Sequence, residues 1–199
     1  MNILVVGMGT IGEPLAKLFL ETGKELGVNE VMVHKNTPRE DCRGMLQRFS
    51  QAGANIVVYA EKKDAFEKML APVGCAPHYT FEEALDRANV IIDCTEEKTG
   101  RILKETYYLP RIKNAHLWGC IGQGSEKNFG KPYAFGVNDK ALIPGKDKFV
   151  WVESCNTHQI LRIIKALVLN HGNGPDDLID AHFTLTRRAG DISQNKSTA

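Results

Sequence analysis

Apolar positions along this chain change their period several times, and each change marks an element. Ile3 to Val6 is a short continuous apolar run, the pattern of a strand buried on both faces of a parallel sheet. From Ile11 the spacing becomes helical, through Leu15, Leu18 and Phe19, and Gly23 supplies a stop. Glu30 to His34 reads as a second strand, Asn36-Thr37-Pro38 as a turn, and the stretch through Phe49 as a helix. Ile56 to Tyr59 is a third strand, followed by a polar-faced helix from Glu61 to Leu70 and a short helix from Phe81 to Arg87. Val90 to Cys94 is rich in β-branched residues and reads as a strand, Thr99 to about Tyr107 as a helix, and Ala115 to Ile121 as a further strand.

After Gly122 the pattern turns loop-rich, with Gly124, Gly130, Pro132, Gly136, Pro144 and Gly145. One more strand, Phe149 to Glu153, feeds a long helix from Asn156 to about Asn170, which His171-Gly172-Asn173-Gly174-Pro175 ends. Leu178 to Arg187 then alternates largely apolar and polar residues, as a half-exposed antiparallel strand would. Ser193 to Ala199 is polar and is expected to be disordered.

Strands alternating with helices at this spacing imply βαβ units and a mostly parallel, Rossmann-type α/β sheet. The expected organisation is a dinucleotide-binding domain over 1–154, the beginning of an α+β second domain over 155–192, and a polar tail over 193–199.

Composition narrows the class without changing it. The 199 residues carry a net charge of +1, 43% hydrophobic and 25% charged residues, which is ordinary for a globular protein and points to neither nucleic acid nor an anionic membrane surface. No apolar run approaches the roughly 20 residues that span a bilayer. The start, MNILVVGMG, reads as a strand rather than a secretory signal. Five cysteines without a C-x-x-C pair argue against a disulfide framework and a zinc ribbon, so no metal site and a reduced, cytoplasmic compartment are expected.

The first candidate chemistry is Gly7-Met8-Gly9-Thr10-Ile11-Gly12, a G-x-G-x-x-G placed directly between a strand and a helix. Gly7 permits the tight turn, Gly9 lets a pyrophosphate approach the backbone, and Gly12 lets helix and strand pack closely. The helix N-terminus supplies the anion site. The second strand ends in VMVHKNTPRE, with no carboxylate at its tip to accept from a ribose 2′-hydroxyl. Lys35 could pair there with a 2′-phosphate, and Asn36 or Thr37 could hydrogen-bond to it, which favours NADP while leaving NAD possible.

The second is Cys155, in VWVESCNTHQILRIIKAL, where a strand pattern stops at Ser154 and a helical one starts at Asn156. A thiol at a helix N-terminus is placed for nucleophilic work, since unpaired N–H groups and the helix dipole favour a thiolate. Thiol and dinucleotide turn on one chain point to aldehyde oxidation through a thioester.

These motifs resemble glyceraldehyde-3-phosphate dehydrogenase of the archaeal type, nearly end to end. The resemblance is carried by GMGTIG, HKNTP, VIIDCTEE, QGSEK, SCNT with Arg162 and Lys165 following on the helix, and TRRAGD at Thr186 to Asp191. It implies that Cys155 is the acylated nucleophile and that Ser154, Asn156 and Thr157 line the substrate and phosphate pocket. It also implies dinucleotide contacts from Thr10 and Ile11, a place for Thr95 beside the nicotinamide, and Ser125 and Arg188 near the cofactor. The implied partners are a small phosphorylated aldehyde, inorganic phosphate and further copies of the chain in a homo-oligomer, a tetramer by resemblance.

The chain departs from the family pattern in places. His158-Gln159 replaces a Thr-Gly after SCNT, Ser125 stands where a second Gly is usual, and Glu97-Lys98 where the family has a Gly. The family's catalytic histidine lies beyond the last residue here, and of the six histidines His158 is nearest in sequence to the thiol. Alternative readings are a non-catalytic NAD(P)-binding module or partner subunit, and another semialdehyde dehydrogenase of the same fold.

Overall fold

The computed structural model describes residues 1–124, 126–171 and 174–185. Its frame is one sheet of eight strands, all parallel: β1 (Asn2–Val6), β2 (Glu30–His34), β3 (Asn55–Val58), β4 (Tyr79–Thr80), β5 (Val90–Asp93), β6 (Gly119–Gln123), β7 (Lys131–Tyr133) and β8 (Phe149–Val152). The spatial order is β4-β3-β2-β1-β5-β6-β8-β7, so the direction of winding reverses between β1 and β5. Register aligns Val57, His34, Val6, Asp93, Gly122 and Trp151 in one row across the carboxyl ends of six strands. An open α/β sheet binds ligands outside such a row, at the reversal.

The apolar runs predicted as buried strands are buried on both faces because helices cover both. Ile3, Val5, Val31, Val33, Ile56 and Val58 point to one layer, against Ala16 of α1 (Gly12–Thr22), Leu46 and Phe49 of α2 (Arg43–Gln51) and Phe66 and Leu70 of α3 (Lys63–Leu70). Leu4, Val6, Met32, Val57 and Ile91 point to the other, against Phe81, Ala84 and Leu85 of α4 (Phe81–Arg87). Helix α4 starts with a capping box: Glu83 N–H donates to Thr80 Oγ1 at 3.4 Å and Thr80 N–H to Glu83 Oε2 at 2.8 Å. The helix expected at 99–107 is α5 (Thr99–Leu103), which runs through a π-helical turn (Lys104–Tyr108) into α6 (Leu109–Arg111). That wider turn sets Tyr108 fully inside the second layer.

Several expectations are corrected. The strand expected at 115–121 is β6, four residues later at its start. Asn114 and Leu117 close a turn, and pairing with β5 begins only where Gly119 meets Val90. The short strands β4 and β7 carried too few residues for any period to be read. The last helix, α7 (Cys155–Leu167), begins at the cysteine itself, with Ser154 as its N-cap. Residues 178–185 form no strand: Ile179 is 98% exposed, and no strand among the described residues pairs with this segment. The rest of that expected strand, Thr186 and Arg187, lies outside the described residues, as do the TRRAGD motif and the polar tail. Among the described residues no helix is long and apolar enough to cross a membrane.

Candidate functional site: a dinucleotide cleft and a separate thiol

Val6 ends β1, and Gly7 turns the chain at φ +90° while its N–H donates to His34 O at 3.3 Å. A side chain at Gly7 would stand 3.0 Å from the backbone of Cys94 and Thr95, and one at Gly12 only 2.0 Å from Gly7 O. Both positions therefore require glycine for close backbone approach. Gly9 differs: nothing lies within 4 Å of where its Cβ would be. The turn is thus closed below and open above, the shape a pyrophosphate needs. No side chain caps the N-terminus of α1.

Above the turn lies a cleft of about 340 Å³, walled by Gly7, Met8 and Gly9, by the β2 tip from His34 to Thr37, by Tyr59 after β3, and by Cys94, Thr95, Glu96, Thr99 and Leu103 after β5. Of the sequence-predicted cofactor residues, Gly7, Gly9, Lys35, Asn36 and Thr95 meet there. Gly12 is buried behind them, and Thr10 and Ile11 stand exposed at the start of α1, outside the walls. Ser125 and Arg188 lie outside the described residues. Lys35 reaches back, its Nζ donating to Met8 O at 3.4 Å, and Asn36 Oδ1 accepts from Lys62 Nζ. Two ammonium groups therefore flank the β2 tip, one of which the sequence reading missed. Tyr59, Cys94, Glu96, Thr99 and Leu103 were missed too. The signal for Tyr59, Cys94 and Glu96 was available, since they lie within three residues of the carboxyl ends of β3 and β5, whereas Thr99 and Leu103 are brought to the cleft by α5.

His34 forms part of the cleft wall, 2% exposed, with neither ring nitrogen partnered and Tyr59 and Phe81 packed at 4.8 and 4.5 Å between ring centroids. Burial, with Lys62 and Lys35 adding to it, lowers its pKa from 6.5 to about 3, so the ring is neutral at pH 7. Burial raises the Asp93 carboxyl above its ordinary value, opposed by hydrogen bonds from Thr95 and Tyr108. Burial, with Asp93 beside it, pushes the Cys94 thiol up to about 12, which leaves it inert as a nucleophile.

The thiol predicted as nucleophile is elsewhere. Cys155 is exposed and borders a surface groove with His158, Gln159, Arg162 and Ile163, none of which lines the cleft. Its neighbours Ser154 and Thr157 serve the helix: Thr157 N–H donates to Ser154 Oγ at 3.3 Å, and the two hydroxyls are 2.9 Å apart. Asn156 Oδ1 is 3.9 Å from the sulfur. His158, the one candidate base, is committed: its Nε2 lies 3.0 Å from Phe135 O, and since a carbonyl can only accept, that nitrogen carries the proton. Arg162 Nη1 donates to the same carbonyl at 3.3 Å and Lys165 Nζ to Val137 O at 3.3 Å. Three turns of α7 are thereby clamped to the 135–137 loop by polar contacts, for no residue of the helix is buried.

No protein-family model matches the chain. It is 30% identical over 196 residues to the glyceraldehyde-3-phosphate dehydrogenase of Pyrobaculum islandicum, taking in 98% of this chain and 51% of that protein. The enzyme of the same name from Methanococcoides burtonii is 30% identical over 201 residues, covering 99% and 52%. That from Methanococcus maripaludis is 26% identical over 198 residues, again covering 99% and 52%. The chain spans about half the length of the curated relatives it matches. With the parallel sheet and its glycine turn, the chain is thus similar along nearly its whole length to about half of these archaeal glyceraldehyde-3-phosphate dehydrogenases.

Proposed function

We propose that this chain supplies the dinucleotide-binding part and the nucleophile of an NAD(P)-dependent, phosphorylating aldehyde oxidoreductase acting on glyceraldehyde 3-phosphate. The observation that carries the reading is the similarity running through 98% of the chain, across both the glycine cleft and the Cys155 turn. The dinucleotide, when bound, takes up the hydride. Cys155 adds through Sγ to the aldehyde carbon, and loss of that hydride leaves a thioester. Inorganic phosphate attacks the thioester carbon, releasing 1,3-bisphosphoglycerate and the thiolate. Ser154, Asn156 and Thr157, neighbours of Cys155 along the chain, are assigned to the substrate by resemblance, with α7 and the residues after it as the start of the second domain.

Gly7, Gly9, Thr10, Ile11 and Gly12 are assigned to the pyrophosphate side, Lys35 and Asn36 to the ribose, and Ser125 and Arg188 to the cofactor by resemblance. Lys35 and Lys62 beside a β2 tip that ends in histidine rather than a carboxylate favour NADP; equal affinity for NAD and NADP in a titration would sink that preference. The resemblance places the proton-accepting histidine in the half of the relatives that this chain does not match. The working assembly is read as a cytoplasmic homo-oligomer.

The test is NADPH formation from glyceraldehyde 3-phosphate, with and without phosphate. Phosphate-dependent turnover that disappears in Cys155→Ser is the expected result for the enzyme carrying this chain. Full activity in Cys155→Ser refutes the thioester route. A second reading, a dinucleotide-binding module without turnover, is favoured by one observation: Cys155 borders a surface groove none of whose residues lines the dinucleotide cleft. Tight NADP binding by a chain of verified length, without turnover, would select it.

A further inference from the structure

Asp93 ends β5 at 1% exposure, and no ion pair holds it among the described residues. Its charge is met by donors instead. Oδ1 accepts the Thr95 N–H at 2.9 Å and the Thr95 hydroxyl at 2.5 Å, and Oδ2 accepts the Tyr108 hydroxyl at 2.7 Å. The π-helical turn brings Tyr108 to that point. At the N-terminal end of α5 a second buried carboxylate, Glu126, accepts the N–H groups of Lys98 and Arg101. A side chain on Gly100 would stand 2.9 Å from Glu126 Cγ and 3.2 Å from Asp93 Oδ1, so the first turn of α5 is gripped between the two acids.

The consequence lies at Thr95, which lines the dinucleotide cleft. A threonine hydroxyl has one proton and two lone pairs. Its proton is directed at Asp93 Oδ1, an oxygen that also takes a backbone N–H and so is not the one to carry a proton itself. The Thr95 N–H is spent on the same oxygen. Toward the cleft, Thr95 Oγ1 therefore offers lone pairs alone.

We propose that Thr95, polarised in this way by Asp93, is a specificity-determining acceptor that selects a ligand bearing an N–H. In a nicotinamide dinucleotide two groups have that chemistry, the adenine 6-amino group and the nicotinamide carboxamide. Asp93 and Tyr108 are positioning residues: they act on the ligand only through the direction of the Thr95 hydroxyl. The inference rests on the dinucleotide reading of the cleft.

The experiment is a titration of the full chain, followed by tryptophan fluorescence or calorimetry. The probes are NADP, its hypoxanthine analogue, which has a carbonyl in place of the amine, and its 3-acetylpyridine analogue, which has a methyl in place of the amide nitrogen. A hydrogen bond worth about 1.4 kcal/mol corresponds to tenfold in Kd. One analogue is expected to bind about tenfold more weakly than NADP, and which one it is identifies the group at Thr95. Thr95→Ser retains that ratio, and Thr95→Val abolishes it by weakening NADP. Asp93→Asn, whose amide can donate to Oγ1 and release the hydroxyl proton toward the cleft, lowers the ratio, which a purely structural loss would not do. Equal binding of all three dinucleotides, or a ratio unchanged in Thr95→Val, overturns the proposal. Failure of the unaltered chain to bind either NADP or NAD is a different result: it removes the dinucleotide reading, and the proposal with it.

Discussion

Replacing His34 by leucine tests whether the imidazole is an acid-sensitive weak point of the core. In the unfolded chain a histidine titrates near 6.5, whereas in the fold this ring titrates at about 3. Between those values the unfolded chain binds the extra proton, so folding stability rises with pH across the window and is lost as pH falls through it. The loss from this one group is about 2 kcal/mol at pH 5 relative to pH 7 and approaches about 5 kcal/mol below pH 3. At pH 7 the substitution has two opposed effects. Leucine removes two buried ring nitrogens that have no partner, a gain of about 1 kcal/mol, and it forfeits ring contacts to Tyr59 and Phe81 worth roughly as much. His34→Leu should therefore be close to neutral at pH 7 and about 2 kcal/mol more stable than the parent at pH 5. Urea denaturation of both proteins at the two pH values measures this, because the other titrating groups cancel in the difference. Parallel losses of stability in the two proteins on going to pH 5 would refute the account of His34 as buried and unpaired.

Thiol labelling gives a second check. Cys155 is exposed while Cys42 and Cys120 are buried, and burial pushes the Cys94 and Cys120 thiols up to about 12. Native protein should react rapidly with iodoacetamide at Cys155, located by peptide mass, and Cys155→Ser should lose that fast phase. Tyr108→Phe deprives the buried Asp93 Oδ2 of its donor and should cost about 1–3 kcal/mol at pH 7. The deficit should shrink at lower pH, because a protonated carboxyl tolerates the missing donor better. A deficit that stays constant in denaturation curves as the pH is lowered would contradict that role.

Local signals carried much of the fold because the relevant physics is local. The run Ile3–Val6, the switch to helical spacing after Ile11, and the short helical stretch from Phe81 to Arg87 each mark their element with residues a few positions apart. The glycine turn was legible for the same reason: backbone approach at Gly7 and Gly12 excludes a side chain whatever the surroundings. Where the deciding contact was distant, the reading slipped. The start of β6 depends on register with β5, β4 and β7 exist only because a neighbour offers a ladder, and residues 178–185 form no strand because alternation without a partner forms no hydrogen bonds.

The sequence by itself determined that a parallel α/β sheet would form, that a phosphate-sized gap would open above Gly9, and that Cys155 would stand at a helix start. Only the tertiary structure decided that Tyr59, Lys62 and Thr99 surround that gap and that His158 is tied to the carbonyl of Phe135. Only it decided that the Thr95 hydroxyl, at the wall of the cleft, donates to Asp93. Composition and spacing fix what a residue can donate or accept. Which partner takes the proton depends on groups brought together from different strands, and that is settled only when the sheet is assembled.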